Sequence, residues 1–355
     1  MPHHIPSEDG LIRVIRRTAG SRGRVQIGIG DDAALLRGGV VVTTDAYADG
    51  VHFDLSYMTL RQVGERCACG AISDVVAMAA EPEAVFVALA LPLARPRRLP
   101  RGRPAAQPPS MEAQVRQLYS GIDGVCRAMG CEVAGGDIIV VDRLLLALTV
   151  TGRARRPKLR SGARAGDGLY VTGHLGSAEA GRMVLADCVE KRTEEALVPT
   201  GARRLAKSDW RLPLVARHLR PLPRLAAMRT LRSSIHGLID TSDGLATDAR
   251  HICEMSGMRI VLEANTLPML PATKRFCAGR GFDPIDFVLG AGEDYELLFT
   301  CRSEVPDSVR GVKVTRIGTI QAGDGLWITR DGRTLPVTVS GYDHIRAGRR
   351  GKTCS

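Results

Sequence analysis

The sequence has few aromatic residues and no long apolar run. Phe, Trp and Tyr make up 4% of its 355 residues, so rings on which nucleic-acid bases could stack are scarce. No stretch approaches the ~18 consecutive apolar residues that a membrane-spanning helix needs. The N-terminus has no apolar signal region before its charged residues. We therefore expect a cytoplasmic protein with no membrane partner.

Cysteine is present, but not in a pattern typical of a metal site or a disulfide framework. The nine cysteines are an odd number, and none stands in a C-x-x-C pair. The eight histidines form neither an H-x-x-x-H nor an H-E-x-x-H motif. We expect reduced thiols that act as small apolar side chains, and we expect no zinc site.

The net charge of +11 suits either a nucleic-acid partner or small anionic metabolites. Five arginines and no acid fall between Arg95 and Arg103. They belong to a Pro-rich segment, 95–109, in which each proline removes an amide donor and restricts the residue before it. We predict that this segment is an exposed insert.

Helical and strand patterns alternate along the chain. Apolar residues from Val115 to Met129 step by three and four behind Ser110, which predicts an amphipathic helix with a serine cap. Near the end of the chain, Asp331-Gly332 between two strand-like runs predicts a hairpin. The expected fold class is α/β with mixed sheets.

The length favours two domains, at ~100–200 residues each. The segment 154–167 is polar and rich in Gly, Pro and Arg, with no apolar period. We place the domain boundary at its start. The predicted domains are 1–153, which contains the insert, and 154–355.

Aspartates that follow Gly, Ser or Thr recur along the whole chain. Any one of them fits a turn or a helix cap, but several lie at predicted strand ends, where a sheet gathers carboxylates on one rim. Such a cluster needs positive charge, and Mg²⁺ binds oxygen ligands that it shares with substrate phosphates. The motifs are GIGDD (28–32), TTD (43–45), SD (73–74), GGD (135–137), DTSDG (240–244) and GEDYE (292–296).

The run from Gly28 to Ala33 also fits the relaxed dinucleotide fingerprint G-x-G-x-x-A. We reject this interpretation because Asp31 and Asp32 would repel a pyrophosphate in that turn unless a metal intervened. The Walker, protein-kinase and G-x-S-x-G motifs are absent from the sequence. If this protein uses ATP, it therefore belongs to none of the enzyme classes that those absent motifs define.

Taken in order, the motifs resemble the thiamine-monophosphate kinase family. The resemblance covers nearly the whole chain except the insert, and it implies the two-domain fold of aminoimidazole ribonucleotide synthetase, with N-terminal sheets paired in a homodimer. It also implies direct transfer of the ATP γ-phosphoryl group to thiamine monophosphate, with several Mg²⁺ ions. The matching runs are GIGDDAALL, TTDAYADGVHF, AISDVVAMAAEP, AGGD, GDGLYVTGHLGSAEAG, HLRPLPR, IDTSDGLATD, GAGEDYELLF and GYDHI.

The resemblance further implies roles for individual residues, none of them a covalent nucleophile. The implied contacts with the thiamine substrate are His52 and Glu293. The implied contacts with ATP, the co-substrate, are Gly136, Asp137, Arg160 and Ser242. The implied Mg²⁺ ligands are Asp32, Thr43, Thr44, Asp45, Asp74, Asp137, Asp240 and Asp243.

Two alternative functions stay open. Ala71, Ala79 and Ile138 stand where the family usually has Asn, Gly and Thr, so another ATP-dependent enzyme of the superfamily, with a different small anionic substrate, is one of them. The other is a non-catalytic nucleic-acid-binding protein that uses the arginines of the insert.

Several residues also have purely structural interpretations. His52 could be a packed strand histidine, and Arg160 could be one more arginine of the linker. Asp243 could be only the cap of a helix that begins near Ala246, worth ~1 kcal/mol.

Overall fold

The residues that the computed structural model describes are 8–19, 23–92, 110–190, 208–339 and 341. The insert at 95–109 and most of the closing GYDHI motif lie outside them, so the exposed loop stays a prediction. Helices and strands alternate through the described chain and form two mixed sheets. The expected α/β class is confirmed.

Nine helices and fourteen strands lie within the described residues, and no helix there is both long enough and apolar enough to cross a membrane. The helices are α1 (Glu8–Ala19), α2 (Leu60–Ala77), α3 (Met111–Met129), α4 (Ser177–Glu190), α5 (Leu212–Leu219), α6 (Leu225–Leu231), α7 (Leu245–Ser256), α8 (Pro271–Arg280) and α9 (Pro284–Gly290). The strands are β1 (Val25–Ile27), β2 (Ala34–Leu36), β3 (Val40–Ala48), β4 (Glu81–Pro92), β5 (Glu132–Val141), β6 (Leu145–Arg153), β7 (Gly168–Thr172), β8 (Ile235–Asp240), β9 (Arg259–Glu263), β10 (Leu297–Cys301), β11 (Ser308–Val309), β12 (Val312–Gln321), β13 (Leu326–Arg330) and β14 (Arg333–Pro336).

The first sheet has the strand order β1-β2-β3-β6-β4-β5. β3 and β4 both pair antiparallel with β6, whereas β5 runs parallel to β4. Burial alternates along β4, where Val85 and Val87 are buried and Phe86 between them is 40% exposed. We call the side of the sheet with Val85 and Val87 the inner face and the side with Phe86 the outer face.

Helix α2 packs on the inner face of the first sheet and also contacts β8, α5 and α6. It begins with a capping box, in which the Thr59 hydroxyl accepts the N–H of Gln62 and the Gln62 side chain accepts the N–H of Thr59. α3 lies so close that a Cβ added to Gly64 would stand 2.1 Å from the Leu118 carbonyl oxygen. Only glycine permits this approach.

Several local predictions are confirmed. Ser110 caps α3, with its hydroxyl 3.2 Å from the N–H nitrogen of Ala113. Asp331 and Gly332, both with positive φ, turn β13 into β14. The eight described cysteines are unpaired thiols, seven of them buried. The strand β5 was not predicted, because its Gly-Gly-Asp sequence resembles a turn.

The second sheet has the order β14-β13-β9-β12-β7-β10-β8, with β11 paired to β12. One core cluster runs from the first sheet through α2 to α5, α6 and one side of the second sheet. Another lies between the second sheet and α7. The two sheets fall on either side of the segment 154–167, and the boundary between 153 and 154 stays a prediction.

Candidate functional site

Three aspartates from distant parts of the chain meet at one place. Asp32 follows the GIG turn, Asp74 lies in the last turn of α2, and Asp240 ends β8. One carboxylate oxygen of each lies within 4.8 Å of the others. We call these residues the three-aspartate cluster. The family resemblance implies that all three are Mg²⁺ ligands, and the structure brings them together.

Two members of the cluster are oriented by neighbouring hydroxyl groups. Thr43 Oγ1 donates to Asp74 Oδ2 at 2.7 Å, and Ser73 Oγ donates to Asp240 Oδ2 at 2.5 Å. Thr43 comes from β3 and Ser73 from α2, so two elements that precede the segment 154–167 position the carboxylates. Each bond uses one oxygen, and the carboxylate keeps further lone pairs for a cation.

Asp32 is held by Arg160, which the family resemblance places among the ATP contacts. Arg160 Nη2 donates to Asp32 Oδ1 at 2.7 Å, and the Asp32 side chain is 1% exposed. Among the described residues, the buried Oδ2 of Asp32 has no hydrogen-bond partner. An unpartnered buried carboxylate oxygen is costly, so this atom fits a bound cation.

Two carboxylates of the cluster, those of Asp74 and Asp240, resist ionisation because they are buried beside other acids. Burial, followed by the charge of Asp32, raises the pKa of Asp240 to about 8. Burial and the nearby Asp45 raise the pKa of Asp74 well above its ordinary value. Without a cation the cluster therefore retains protons near neutral pH. A divalent cation would displace them and relieve the repulsion.

We expect the metal-free protein to lose stability as the pH rises from about 4 to about 8. The folded pKa of Asp240 lies above its unfolded value of ~3.9, so the unfolded chain releases this proton first and the penalty grows through that window. Melting temperatures in EDTA across this range check the sign. Asp240→Asn should lose less stability than wild type over the same range, and an equal loss in both proteins would contradict the assignment.

Strand β3 presents predicted ligands on both faces of the first sheet. Asp45 lies on the inner face, where it accepts a hydrogen bond from the Tyr47 hydroxyl at 2.8 Å, and burial raises its pKa. Thr44 lies on the outer face, with its hydroxyl 2.9 Å from that of Thr149 on β6. The structure thus brings Asp45 towards Asp74 and leaves the Thr44 side chain on the other face.

Gly136 and Asp137 lie on β5, away from the three-aspartate cluster. β5 is three strands from β3, or about 14 Å at the usual spacing, and Asp137 pairs with Ala88 on the outer face. A Cβ on Gly136 would stand 2.0 Å from the Val87 carbonyl oxygen, so only glycine fits there. Both predicted residues line an open groove of about 500 Å³ with Tyr119, Val133, Ala134, Gly135 and Ile138.

The DTSDG and GEDYE motifs form two loops joined by backbone hydrogen bonds. The N–H of Glu293 donates to the Ser242 carbonyl oxygen at 2.7 Å, and the N–H of Tyr295 to that of Thr241 at 2.9 Å. Glu293 and Tyr295 both have left-handed backbones, with φ of 64° and 50°. Non-glycine residues adopt this conformation at a cost of ~1–3 kcal/mol each, usually at functional sites.

The helix-cap interpretation of Asp243 is wrong. The N-cap residue of α7 is Gly244, which has no side chain with which to cap the helix. Sequence reasoning missed Asp248, which is 1% exposed and accepts the N–H of Gly244 at 3.1 Å. Burial, followed by the charge of Asp243, raises the pKa of Asp248 well above its ordinary value. The sequence does carry a signal for Asp248, because an acidic residue stands there among the apolar positions of a helix.

His52 lies in the turn that follows β3, so the packed-strand interpretation is wrong. Its Nδ1 accepts the N–H of Ala48 at 3.2 Å, and its ring meets that of Tyr47 edge-on at 5.5 Å between centroids. The other predicted thiamine contact, Glu293, keeps 26% of its side chain exposed. A group with this exposure can still be reached by a ligand.

The buried carboxylate of Glu296 is paired with two arginines. They are Arg217 and Arg224, the last residue of the HLRPLPR motif. Arg224 binds Glu296 with two nitrogens, one of them 2.6 Å from Oε2. Arg217 lies 3.2 Å from Oε1, and the Thr172 hydroxyl donates to Oε2 at 2.6 Å. Glu296 is fully buried. This network, which was not predicted, secures the GEDYE loop.

Comparisons with known proteins agree with the geometry. Residues 30–154 match the family model described as AIR synthase related protein, N-terminal domain. The thiamine-monophosphate kinase of Aquifex aeolicus is 31% identical over 342 residues, which is 95% of this chain and 98% of that protein. The thiamine-monophosphate kinase of Rhodopirellula baltica is 30% identical over 338 residues, 90% of this chain and 91% of that protein.

A solved structure described as AaThiL complexed with AMPPCP and TMP has a TM-score of 0.77 and 31% identity, covering 95% of this chain and 97% of that one. The crystal structure of thiamine monophosphate kinase from Aquifex aeolicus has a TM-score of 0.76 and 30% identity, covering 95% of this chain and 100% of that one. The chain therefore belongs to the thiamine-monophosphate kinase family.

Proposed function

We propose that this chain phosphorylates thiamine monophosphate (TMP) with ATP. An oxygen of the TMP phosphate forms a bond to the γ-phosphorus, the bond between that phosphorus and the β–γ bridging oxygen breaks, and ADP leaves. The product is thiamine diphosphate. The observation that carries the proposal is the match over 95% of the chain to a kinase bound to AMPPCP and TMP. Positioning and charge neutralisation supply most of the catalysis in such transfers.

We infer that the three-aspartate cluster holds Mg²⁺. Three acceptor-only side chains converge within 4.8 Å, and the buried Oδ2 of Asp32 lacks a partner among the described residues. When bound, the ions neutralise the phosphates of both substrates and offset the repulsion among the carboxylates. The ligands proposed at or beside this cluster are Asp32, Thr43, Asp45, Asp74, Asp240 and Asp243. Thr44 and Asp137, whose side chains lie on the outer face of the first sheet, could bind Mg²⁺ only away from the cluster.

The remaining predicted residues divide between the two substrates. Arg160 supports an ATP role because its guanidinium lies directly on the cluster, 2.7 Å from Asp32. Ser242 adjoins Glu293 through the loop hydrogen bond, so an ATP contact and a thiamine contact are neighbours. The carboxylate of Glu293 suits the positive charge of thiamine. Gly136 and Asp137 complete the proposed ATP contacts.

We also propose a homodimer formed through the outer face of the first sheet. Phe86 and Ile139 are 40% and 53% exposed on this face, and Leu145 on β6 is 37% exposed. β5 is an edge strand, which leaves one row of backbone groups available for pairing. Apolar residues gathered beside an edge strand are typical of an interface.

Phe86→Glu is expected to convert the dimer to a monomer, because each protomer would carry a charge into the proposed apolar contact. Sedimentation velocity at micromolar concentration measures the change. Glu83→Gln on the same strand, an exposed position whose side chain pairs with Arg153 at 2.9 Å, is the control and should stay dimeric. A wild-type protein that sediments as a monomer would contradict the proposal.

The proposed activity is tested by thiamine diphosphate formation from ATP, Mg²⁺ and TMP with the purified protein. We expect one ADP for each thiamine diphosphate and no product in EDTA. Turnover of another small anion without turnover of TMP would favour the superfamily alternative. RNA or DNA binding that weakens steeply with salt, without ATP turnover, would favour the nucleic-acid alternative.

A further inference from the structure

Arg66 is a buried cation to which no role has been assigned above. It lies within α2 with 1% of its side chain exposed. Its Nε donates to the His52 carbonyl oxygen at 3.1 Å, and its Nη1 donates to the His218 carbonyl oxygen at 2.5 Å. Its Nη2 lies 2.6 Å from Glu293 Oε2. The planar guanidinium thus contacts three separate segments of the chain.

Glu293 favours the charged form of Arg66. Burial disfavours the charged guanidinium, but the adjacent carboxylate outweighs this effect and raises the pKa of Arg66 above its ordinary range. Glu293 is held in turn at two points. Its carboxylate meets Arg66, and its backbone, with φ of 64°, donates to the Ser242 carbonyl oxygen. This arrangement limits the directions in which the carboxylate can point.

A simpler interpretation is that Arg66 only joins the two halves of the molecule. α2 lies before the segment 154–167, whereas His218 and Glu293 lie after it. A purely structural link would lower stability and affect both substrates alike. However, two of its three partners, His52 and Glu293, are the two proposed thiamine contacts, and none is a proposed ATP contact.

We propose that Arg66 is a positioning residue for TMP, which fixes the Glu293 carboxylate and the His52 turn in the arrangement that accepts the cationic thiamine group. The inference rests on the proposed kinase function. Arg66 acts through its two partners rather than by touching the substrate, and its effect is therefore on TMP rather than on ATP.

The test compares Arg66→Met and Arg66→Lys with wild type in steady-state kinetics. For Arg66→Met we expect KM for TMP to rise roughly 10- to 100-fold, the range for losing a polar contact with a charged group, with KM for ATP within about twofold. Arg66→Lys keeps the positive charge but loses the planar guanidinium with its several N–H donors, and it should raise KM for TMP about three- to tenfold. Arg61→Met, on the exposed side of α2, is the control and should change neither constant.

A second comparison tests the route of the effect. In a Glu293→Gln background, Arg66→Lys should add less than about twofold to KM for TMP, because the carboxylate on which it acts is already lost. If Arg66→Met does not fold, the KM values of Arg66→Lys and of this double variant for TMP still test the positioning role. Equal changes in both KM values, or an unchanged KM for TMP, would overturn the positioning role. Absence of TMP turnover in wild type would overturn the proposed function instead.

Discussion

Replacing Asp74 with asparagine is expected to abolish kinase activity while raising the melting temperature of the metal-free protein. Asparagine keeps the shape and can still accept the Thr43 hydrogen bond, but it has no carboxyl group whose ionisation Asp45 and Asp240 oppose. We expect turnover to fall by at least ~1,000-fold, because neutralisation of the phosphates is weakened in the transition state. The melting temperature in EDTA at about pH 8.5 should rise by a few degrees.

The opposite signs of the two effects make this experiment decisive. A purely structural aspartate would lose activity only in proportion to lost stability. Asp331→Asn, at a position 93% exposed, is the matched control and should change neither quantity. Near-normal turnover of Asp74→Asn at ordinary Mg²⁺ would exclude Asp74 as a ligand, and a lower melting temperature in EDTA would show that its charge stabilises the fold.

Arg224→Met is expected to lower the free energy of unfolding by about 3–5 kcal/mol, the usual cost of breaking a buried ion pair from one side. The variant leaves Glu296, whose side chain is fully buried, with only the more distant Arg217 and the Thr172 hydroxyl. Urea unfolding followed by circular dichroism measures the loss.

Arg232→Met provides the comparison for this prediction. Arg232 pairs with Glu81 at 3.3 Å, but both side chains are substantially exposed, and such pairs contribute at most ~1 kcal/mol. Adding Glu296→Gln to Arg224→Met should restore part of the lost stability, because the stranded charge is removed. Equal losses for Arg224→Met and Arg232→Met would show that the buried network contributes little.

The parts of the fold that were predictable depend on short stretches of chain. The helix behind Ser110 and the Asp331-Gly332 turn follow from spacing and backbone preference, and both are present. Other local signals were overlooked, since Pro271 and Pro284 stand at the first positions of α8 and α9, where proline is favoured. β5 could not be predicted locally, because glycine and aspartate disfavour strands and the pairing with β4 overrides that preference.

The candidate site was likewise predictable only in part. The repeated Asp motifs predicted a carboxylate cluster, the family resemblance implied its individual ligands, and the fold brings Asp32, Asp74 and Asp240 together. The faces on which Thr44 and Asp137 lie depend on strand register, which only the assembled sheet determines. Arg66 gives no signal at all in the sequence, because its partners are distant along the chain.

Helix α2 belongs to a core that the second half of the chain must complete. Val75 and Met78 are buried in the same cluster as Leu231 and Leu238. During synthesis the segment 30–154 emerges first, and at ~5–20 residues per second another ~4–17 s pass before Leu238 is made. Until then the side of α2 turned away from the first sheet has no apolar cover, so we expect the nascent chain to depend on chaperones. We therefore expect the segment that the family model matches, 30–154, not to fold stably without the rest of the chain.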